Sequence, residues 1–422
     1  MPERSTTISH GSGSESPGLL SLLAALPGVS DVLRGIANYN VGPETELLER
    51  AAYFPLLLAA PSRPVAGGFE VESGAARRFE IGAQAAGSRL AAVNRVGAPA
   101  ATVRFRWRLV PDDYVGSPDR VAPLPALPLR PGVGQRFEVF DWTLRFADGA
   151  SGFRAYGAGR TLPEAGGVGP GAGMAFVLDV LEGFGQLAGL AGAVVASGTV
   201  GPDGGLELGV VVRVMDPSGH LLARWPLPSP SPWAGPETGV TYLAFLGQVD
   251  PQRPVTLRFS LTAGVLGSNV FELLRPAELD FETAGGLRSR TARGSITGSV
   301  KARLSFNPLA LCPTTPVQTR LGSFELRDPT GRSIGSIASD MIEGRSFRTR
   351  LEGALLPVFR FAGFGPVTGG TGEFTGARGI MTMNSAISVQ PRTLSNLYVL
   401  RLDDPDGRFR ATAERVFSGG AS

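Results

Sequence analysis

Apolar and polar residues alternate over many short stretches of the chain beyond Pro61. The clearest cases are residues 103–109, 140–146, 255–261 and 300–306, in which every second residue is apolar. A β-strand that packs one face on a core and turns the other face to solvent has this period of two. The pattern therefore predicts antiparallel strands with one apolar face each.

The N-terminal part of the chain has a different pattern. Residues 1–17 are rich in Ser and Gly and predict a flexible tail. Over residues 19–39 apolar side chains recur at intervals of three and four, interrupted at Pro27, and residues 44–53 have room for another short helix. We therefore expect a flexible tail and short helices over residues 1–60.

The composition favours an all-β protein. The chain has 422 residues, of which 58 are Gly and 34 are Pro, while 43% are hydrophobic. Frequent Gly and Pro exclude a long helical bundle, and the apolar content excludes disorder throughout. The length is sufficient for two or three separate cores.

Scarce residue types exclude several kinds of chemistry. The chain has two His and a single Cys, Cys312, so a His₃ zinc site and internal disulfides are excluded. We predict no metal and no cofactor. A net charge of +3 without runs of like charge predicts no nucleic-acid partner. No apolar stretch approaches the roughly 20 residues of a membrane span, so we expect a cytoplasmic protein.

Two parts of the chain have related markers on either side of a Pro-rich stretch. Gly183-Phe184-Gly185 corresponds to a Gly-Phe-Gly at 363–365, and an Arg-x-x-Asp-Pro-x-Gly string occurs at 213–219 and again at 401–407. These spacings predict a tandem duplication. The predicted domains are a first barrel over 61–224, a Pro-rich linker over 225–239, and a second barrel over 240–416.

The most specific string is Gly-Gly-Thr-Gly-Glu-Phe-Thr-Gly-Ala-Arg-Gly at residues 369–379. Its glycines suit a tight hairpin, and Phe374 begins the next apolar run. The string resembles the Gly-Gly-Thr-Gly-x-Phe-x-x-Ala-x-Gly pattern of dirigent proteins and of the allene oxide cyclase-like barrel family. This resemblance implies an eight-stranded antiparallel barrel, so the expected fold is two tandem barrels of this kind with short N-terminal helices.

The resemblance also implies a function without a cofactor. Members of this family fold a flexible hydrophobic molecule inside an apolar lumen, so the first hypothesis is a cyclase or isomerase acting on a polyketide- or oxylipin-like intermediate. The second barrel, which has the motif, is the expected active copy. Two alternatives stay open: a non-catalytic hydrophobic-ligand-binding or dirigent-type protein, and a structural double barrel with filled lumens. Strand register decides among them, because a shift of one residue exchanges the two faces.

Polar chemistry in such a lumen must come from acids, arginines, tyrosines or amides. The catalytic candidates are Arg378 and Glu373, which lie in the motif, and Asp340, which follows a strand of small residues. Each is alternatively a solvated surface residue. The candidate substrate-binding residues, alternatively core or rim residues, are Asn384, Tyr398, Phe374, Asp141, Trp142 and Tyr156.

Arginines alternate along one predicted strand at Arg104, Arg106 and Arg108. Such a stripe can bind a carboxylate, a phosphopantetheine group or an acidic carrier protein. It is equally typical of the solvated outer face of a sheet. The partners expected from the sequence are therefore a hydrophobic small molecule and an acidic carrier protein, while the oligomeric state stays open.

Overall fold

A computed structural model describes the greater part of the chain. The residues described are 5–8, 40–41, 51–79, 89–93, 96–114, 116, 118, 124, 127–130, 132–163, 172–216, 221, 239–249, 255–262, 277–283, 287–291, 294–306, 314–328, 330–340, 343–349, 358–389 and 392–417. The N-terminal helices expected over 19–39, and all of the predicted linker except Gly239, lie outside these residues.

Within the described residues the protein is nearly all-β, with two curled antiparallel sheets and one helix of more than three residues. The strands are β1 (Ser5–Ile8), β2 (Asn40–Val41), β3 (Ala51–Ala60), β4 (Arg63–Val65), β5 (Gly68–Phe79), β6 (Arg89–Val93), β7 (Val96–Leu109), β8 (Arg136–Phe146), β9 (Gly152–Leu162), β10 (Ala172–Phe184), β11 (Gly192–Val200), β12 (Leu206–Met215), β13 (Gly239–Val249), β14 (Val255–Thr262), β15 (Ala277–Thr283), β16 (Leu287–Thr291), β17 (Gly294–Phe306), β18 (Thr314–Arg327), β19 (Ser333–Ser339), β20 (Glu343–Thr349), β21 (Val358–Gly372), β22 (Gly379–Val389) and β23 (Arg392–Asp404). A 3₁₀ turn (Gly185–Leu187) follows β10, and α1 (Arg408–Phe417) follows β23.

The first sheet is a meander that curls back on itself. Its order is β3-β12-β11-β10-β9-β8-β7-β5-β4, and β3 pairs with β5 as well as with β12. The β3–β5 ladder joins Leu56 to Arg78 and Ala59 to Ala75. Residues 51–53, where the spacing predicts a helix, thus belong to a strand, because β3 is hydrogen-bonded along its length to β12. The first sheet therefore begins at Ala51, ten residues before the predicted boundary.

The second sheet has more strands and the same curl. Following its ladders from β13 through β16, β17, β18, β19, β21, β22 and β23 leads back to β13. Strands from the N-terminal half also join it: β1 and β2 pair with β14, and β6 pairs with β13. The chain is therefore not divided cleanly into two halves at residues 225–239.

The predicted alternation is confirmed in β7 and only in part in β8. In β7, Val103, Phe105 and Trp107 are buried while Arg104 is exposed. In β8 a bulge interrupts the ladders to both neighbours, and Asp141 at the bulge has φ 56°. A bulge inserts one residue and exchanges the faces beyond it. Phe137 and Val139 therefore share the inner face with Trp142, and Phe140 does not.

The two sheets pack against each other through their outer faces. Apolar side chains of β10 to β12 and of β21 to β23 form one buried cluster, which includes Val177, Ala193, Phe364, Ile380 and Val399. At its edge Glu343 of β20 forms ion pairs of 3.5 Å with Arg136 and Arg160 of the first sheet. No helix in the described part of the chain is long and apolar enough to cross a membrane.

Candidate functional site

The interior of the first sheet is filled with side chains. Large apolar residues from all eight main strands form one buried core, and an unbroken series of aromatic rings runs through it. The ring-centroid distances are 4.2 Å for Phe69–Trp107, 5.7 Å for Trp107–Phe137, 6.2 Å for Phe137–Phe176, 5.7 Å for Phe176–Trp142 and 4.7 Å for Trp142–Phe105. Rings at these distances and tilts are in packing contact. The candidate Trp142 is thus a core residue with no exposed surface.

The motif hairpin packs against the C-terminal helix α1. Phe374 is fully buried and stacks on Phe409 of α1 at 5.7 Å. Thr412 of the same helix donates a hydrogen bond of 2.9 Å to the Glu373 carboxylate. Arg408 donates one of 2.7 Å to the carbonyl oxygen of Thr375. Two motif candidates, Phe374 and Glu373, therefore attach the C-terminal helix to the hairpin.

The hairpin that follows β10 in the first sheet has the same construction. Gly185 and Gly372 have φ values of 61° and 58°, and Gly189 and Gly376 have 74° and 79°. Leu187 takes the place of Phe374 and is equally buried. These pairs are all 187 residues apart. The correspondence of Gly183-Phe184-Gly185 with 363–365, predicted from the sequence, is therefore wrong, because the first hairpin matches the motif itself.

The match continues into the last strand of each sheet. Arg213 and Arg401 are both buried, with 2% and 3% of their surface exposed. Asp216 accepts a hydrogen bond of 3.0 Å from the backbone N–H of Leu221, five residues on. Asp404 accepts one of the same length from Phe409, also five residues on. Asp216 and Asp404 thus accept a backbone hydrogen bond at the same separation along the chain.

The three catalytic candidates lie apart and outside the interior of the second sheet. The side chains of Arg378 and Asp340 are exposed, and Glu373 is half-buried against α1. The backbone N–H of Asp340 donates to the carbonyl oxygen of Pro366, and Arg378 accepts from the N–H of Asp403. The structure does not bring the three together, so they form no shared acid–base site.

Asn384 and Tyr398, on neighbouring strands, are buried on opposite faces of the second sheet. The side-chain amide of Asn384 donates a hydrogen bond of 3.2 Å to the carbonyl oxygen of Ala193, so it joins the two sheets. Tyr398 points inward and packs edge-on against Phe324 at 5.1 Å. Complete burial raises the pKa of its hydroxyl above the ordinary value.

Tyr156 belongs to a buried polar cluster on the outer face of the first sheet. Its hydroxyl donates to the Glu138 carboxylate, which also forms an ion pair of 2.7 Å with Arg108. The hydroxyl of Tyr114 accepts a hydrogen bond of 3.1 Å from Arg108 and covers the cluster. A side chain on Gly116 would overlap the Tyr156 hydroxyl, so Gly116 packs directly against it. Arg108 is therefore held by Glu138 and Tyr114 in a buried cluster, whereas Arg104 and Arg106 of the same stripe are exposed.

Beyond this cluster the same outer face forms an open groove of about 630 Å³. Its charged side chains include both acids and arginines, and Asp141 at the bulge is one of the acids. The lining residues are Glu70, Val71, Glu72, Arg104, Phe105, Arg106, Asp141, Thr143, Arg145, Arg154 and Phe184. The Arg106 hydrogen bond lowers the pKa of Glu70 below its ordinary value of 4.5. Among the described residues this groove is the best candidate for a ligand site.

Sequence reasoning identified part of this groove. Asp141 and the arginine stripe were candidates, whereas Thr143, Arg145 and Arg154 were not. The period-two pattern of β8 contains Thr143 and Arg145 on the polar face, so the signal was present. Assembling them with Arg154 requires the register of β8 with β9, which the sequence does not contain.

Within the described residues no group of three His, Cys, Asp or Glu side chains is placed to hold a metal ion. Comparison with known proteins gives no relative from which a role for the groove or the motif can be carried over: no family model matches the chain, and neither does any curated protein or solved structure.

Proposed function

We propose that this chain is a non-catalytic binding protein that holds its ligand in the outer groove of the first sheet. The observation that carries the proposal is the contrast between interior and exterior. The interior is occupied by packed aromatic rings, while the groove offers about 630 Å³. Ligand sites for small molecules usually have volumes of roughly 300–1,000 Å³.

The proposal includes the architecture. We take both sheets to be closed eight-stranded barrels related by duplication, of the kind that the motif resembles. The return of each ladder to its first strand supports closure, and the matched hairpins and Asp caps support duplication. In this architecture the first barrel is a filled scaffold, as small barrels often are. Its outer face is then the surface left for binding.

Ligand retention tests the proposal. The purified protein is incubated with a metabolite extract of the source cells, separated by gel filtration, and its bound small molecules are identified by mass spectrometry. Thr143→Trp fills the groove, and Val133→Trp, at an exposed site outside the lining residues, is the matched control. We expect a compound that the protein and V133W retain and that T143W loses. Equal retention by T143W, or no retention at all, refutes the groove as the site.

A second candidate is the cofactor-independent cyclase or isomerase, placed inside the second barrel. The buried hydroxyl of Tyr398 favours it, because a phenol with a raised pKa stays protonated and can donate to a substrate carbonyl. Met381 and Met383 are buried on the adjacent strand and supply an adaptable apolar wall. In this proposal the buried Phe374 and α1 close the hairpin end of the second barrel, so a substrate would enter at the opposite end.

Metabolite comparison of source cells with and without the gene tests this second candidate. A cyclase or isomerase predicts that deletion replaces one compound by another of equal mass and different retention time. Unchanged metabolites under conditions where the protein is made contradict it. Because a binding protein leaves no isomer behind, this result also separates the two candidates.

A further inference from the structure

Three arginines flank Thr143 in the groove. In the β7–β8 ladder Arg104 lies directly opposite Thr143, and in the β8–β9 ladder Arg154 lies opposite the same residue from the other side. Arg145 is two residues further along β8 and therefore on the same face. Neighbouring side chains in these positions are about 5–8 Å apart at Cβ, within reach of one bound group.

These three cations have little counter-charge of their own. Within the described residues Arg104 makes no hydrogen bond or ion pair. Arg145 lies over the ring of Phe184 at 5.0 Å, and Arg154 is 3.6 Å from a Glu182 carboxylate that is itself largely exposed. Like charges gathered on one face of a sheet repel each other. A bound anion removes that cost and takes up the free donors.

The remaining cation of the groove is already neutralised. Arg106 donates 3.1 Å to the carboxylate of Glu70 and lies 3.8 Å from that of Asp141. The groove is therefore bipolar, with a cationic end around Thr143 and an acidic end around Glu70 and Asp141, while Glu72 lies in the β5 bulge opposite Arg104. Asp141 itself has a left-handed backbone, a conformation that is concentrated at functional sites.

We infer that the cationic end binds the phosphate group of a small phosphate monoester, held by Arg104, Arg145, Arg154 and the Thr143 hydroxyl. A monoester carries about −1.5 to −2 charges at neutral pH and three acceptor oxygens, which matches three guanidinium groups better than a carboxylate does. Within the described residues the hydroxyl of Thr143 makes one long contact, of 3.4 Å, to the carbonyl oxygen of Asp141, and it can donate to the phosphate instead. The acidic end then faces hydroxyl or amino groups of the same ligand.

This inference rests on the proposed function, and phosphorus NMR with calorimetry tests it separately. The probes are inorganic phosphate and glucose 6-phosphate, each at up to 10 mM in 50 mM salt. We expect both to bind, with the ester tighter, and we expect at least tenfold weaker binding in Arg104→Gln and in Thr143→Val. Arg332→Gln removes one exposed arginine outside the groove and serves as the charge-matched control; it should bind as the unmodified protein does.

Each other outcome has a definite meaning. No binding of either probe overturns the inference, and so does equal weakening by R332Q, which shows attraction by net charge alone. Binding of a phosphoprotein but of neither small probe also overturns it. If the retention experiment finds a ligand lost in T143W that has no phosphate, the proposed function stands and the inference fails. If nothing is retained in the groove yet phosphate binds there, the cationic end is an ion site and the proposed function fails.

Discussion

Removing the ring of Phe176 tests whether the first interior is as tightly filled as its geometry indicates. Phe176 has no exposed surface and lies between Phe137 and Trp142 in the aromatic series. In Phe176→Ala, a residual cavity of about 100 Å³ at ~24 cal/mol per Å³ costs about 2.4 kcal/mol. The lost transfer free energy of the ring adds to this, for a total of about 3–5 kcal/mol.

The assay is thermal unfolding followed by circular dichroism and by tryptophan emission. A cooperative unit of about 150–250 residues loses about 2–4 °C in Tm for each kcal/mol, so F176A should unfold about 6–20 °C lower. Leu181→Ala on the same strand is the control, because that side chain is 47% exposed. Its free energy of unfolding should change by no more than about 0.5 kcal/mol.

Benzene gives a second measurement on the same variants. An apolar cavity of roughly this size inside a rigid core stays dry and binds benzene. Benzene should therefore raise the Tm of F176A and leave that of L181A unchanged. If F176A costs as little as L181A and benzene has no effect, the interior is not packed. The argument for an external ligand site then fails, and the site belongs on the inner face of the curled sheet.

Three further predictions follow from single contacts. Gly379→Ala should lower the free energy of unfolding by at least about 4 kcal/mol, because at φ 146° its Cβ would overlap the carbonyl oxygen of Arg401. Gly376→Ala, at φ 79° in open space, should lower it by about 1–2 kcal/mol, and urea unfolding compares the two variants. Glu343→Gln should cost about 1 kcal/mol at low salt and less at high salt, since it leaves two arginines of the first sheet facing a neutral group. The Thr330 hydrogen bond lowers the pKa of Asp328 below its ordinary value of 3.8. The ionised Asp328 therefore stabilises the fold above pH 3.8, and this stabilisation is lost as the pH falls through the lower pKa of the folded state. Asp328→Asn should make the fall in Tm between about pH 4 and pH 3 shallower.

The all-β fold class could be predicted from the period of two in the sequence. Which side chains of each strand face the interior could be predicted only for some strands. In β7 strict alternation gave the correct inner face, with Trp107 inside and Arg104 outside. In β8 the same reasoning placed Phe140 beside Trp142 on one face. The bulge at Asp141 separates them, and an Asp with positive φ carries no reliable mark in the sequence. Only the neighbouring strands decide where the extra residue is inserted.

The packing of side chains inside the first sheet also could not be predicted from the sequence. Whether a barrel lumen is open or filled depends on how the side chains of eight strands meet, and no strand contains that information alone. The sequence indicated Trp142 as either core or lumen wall. Its contacts with Phe105 and Phe176 place it in a packed core. The positions of the catalytic candidates also required the structure, because closeness in a motif does not place side chains in one cavity: Arg378 and Asp340 are exposed, and Glu373 lies against α1.

The positions of the motif residues favour a structural role for the string at 369–379. Four of its five glycines recur in the first hairpin, at Gly183, Gly185, Gly189 and Gly192, while the residues between them differ. Glycine suits these positions because the backbone there has positive φ, as at Gly185 and Gly372. What differs is the buried side chain of the hairpin, Leu187 in one sheet and Phe374 in the other. Because the shared glycines have the same backbone conformation in both hairpins, the string specifies a hairpin geometry and does not by itself mark a site of chemistry. The groove around Thr143 was found from the register of three strands, which no such string contains.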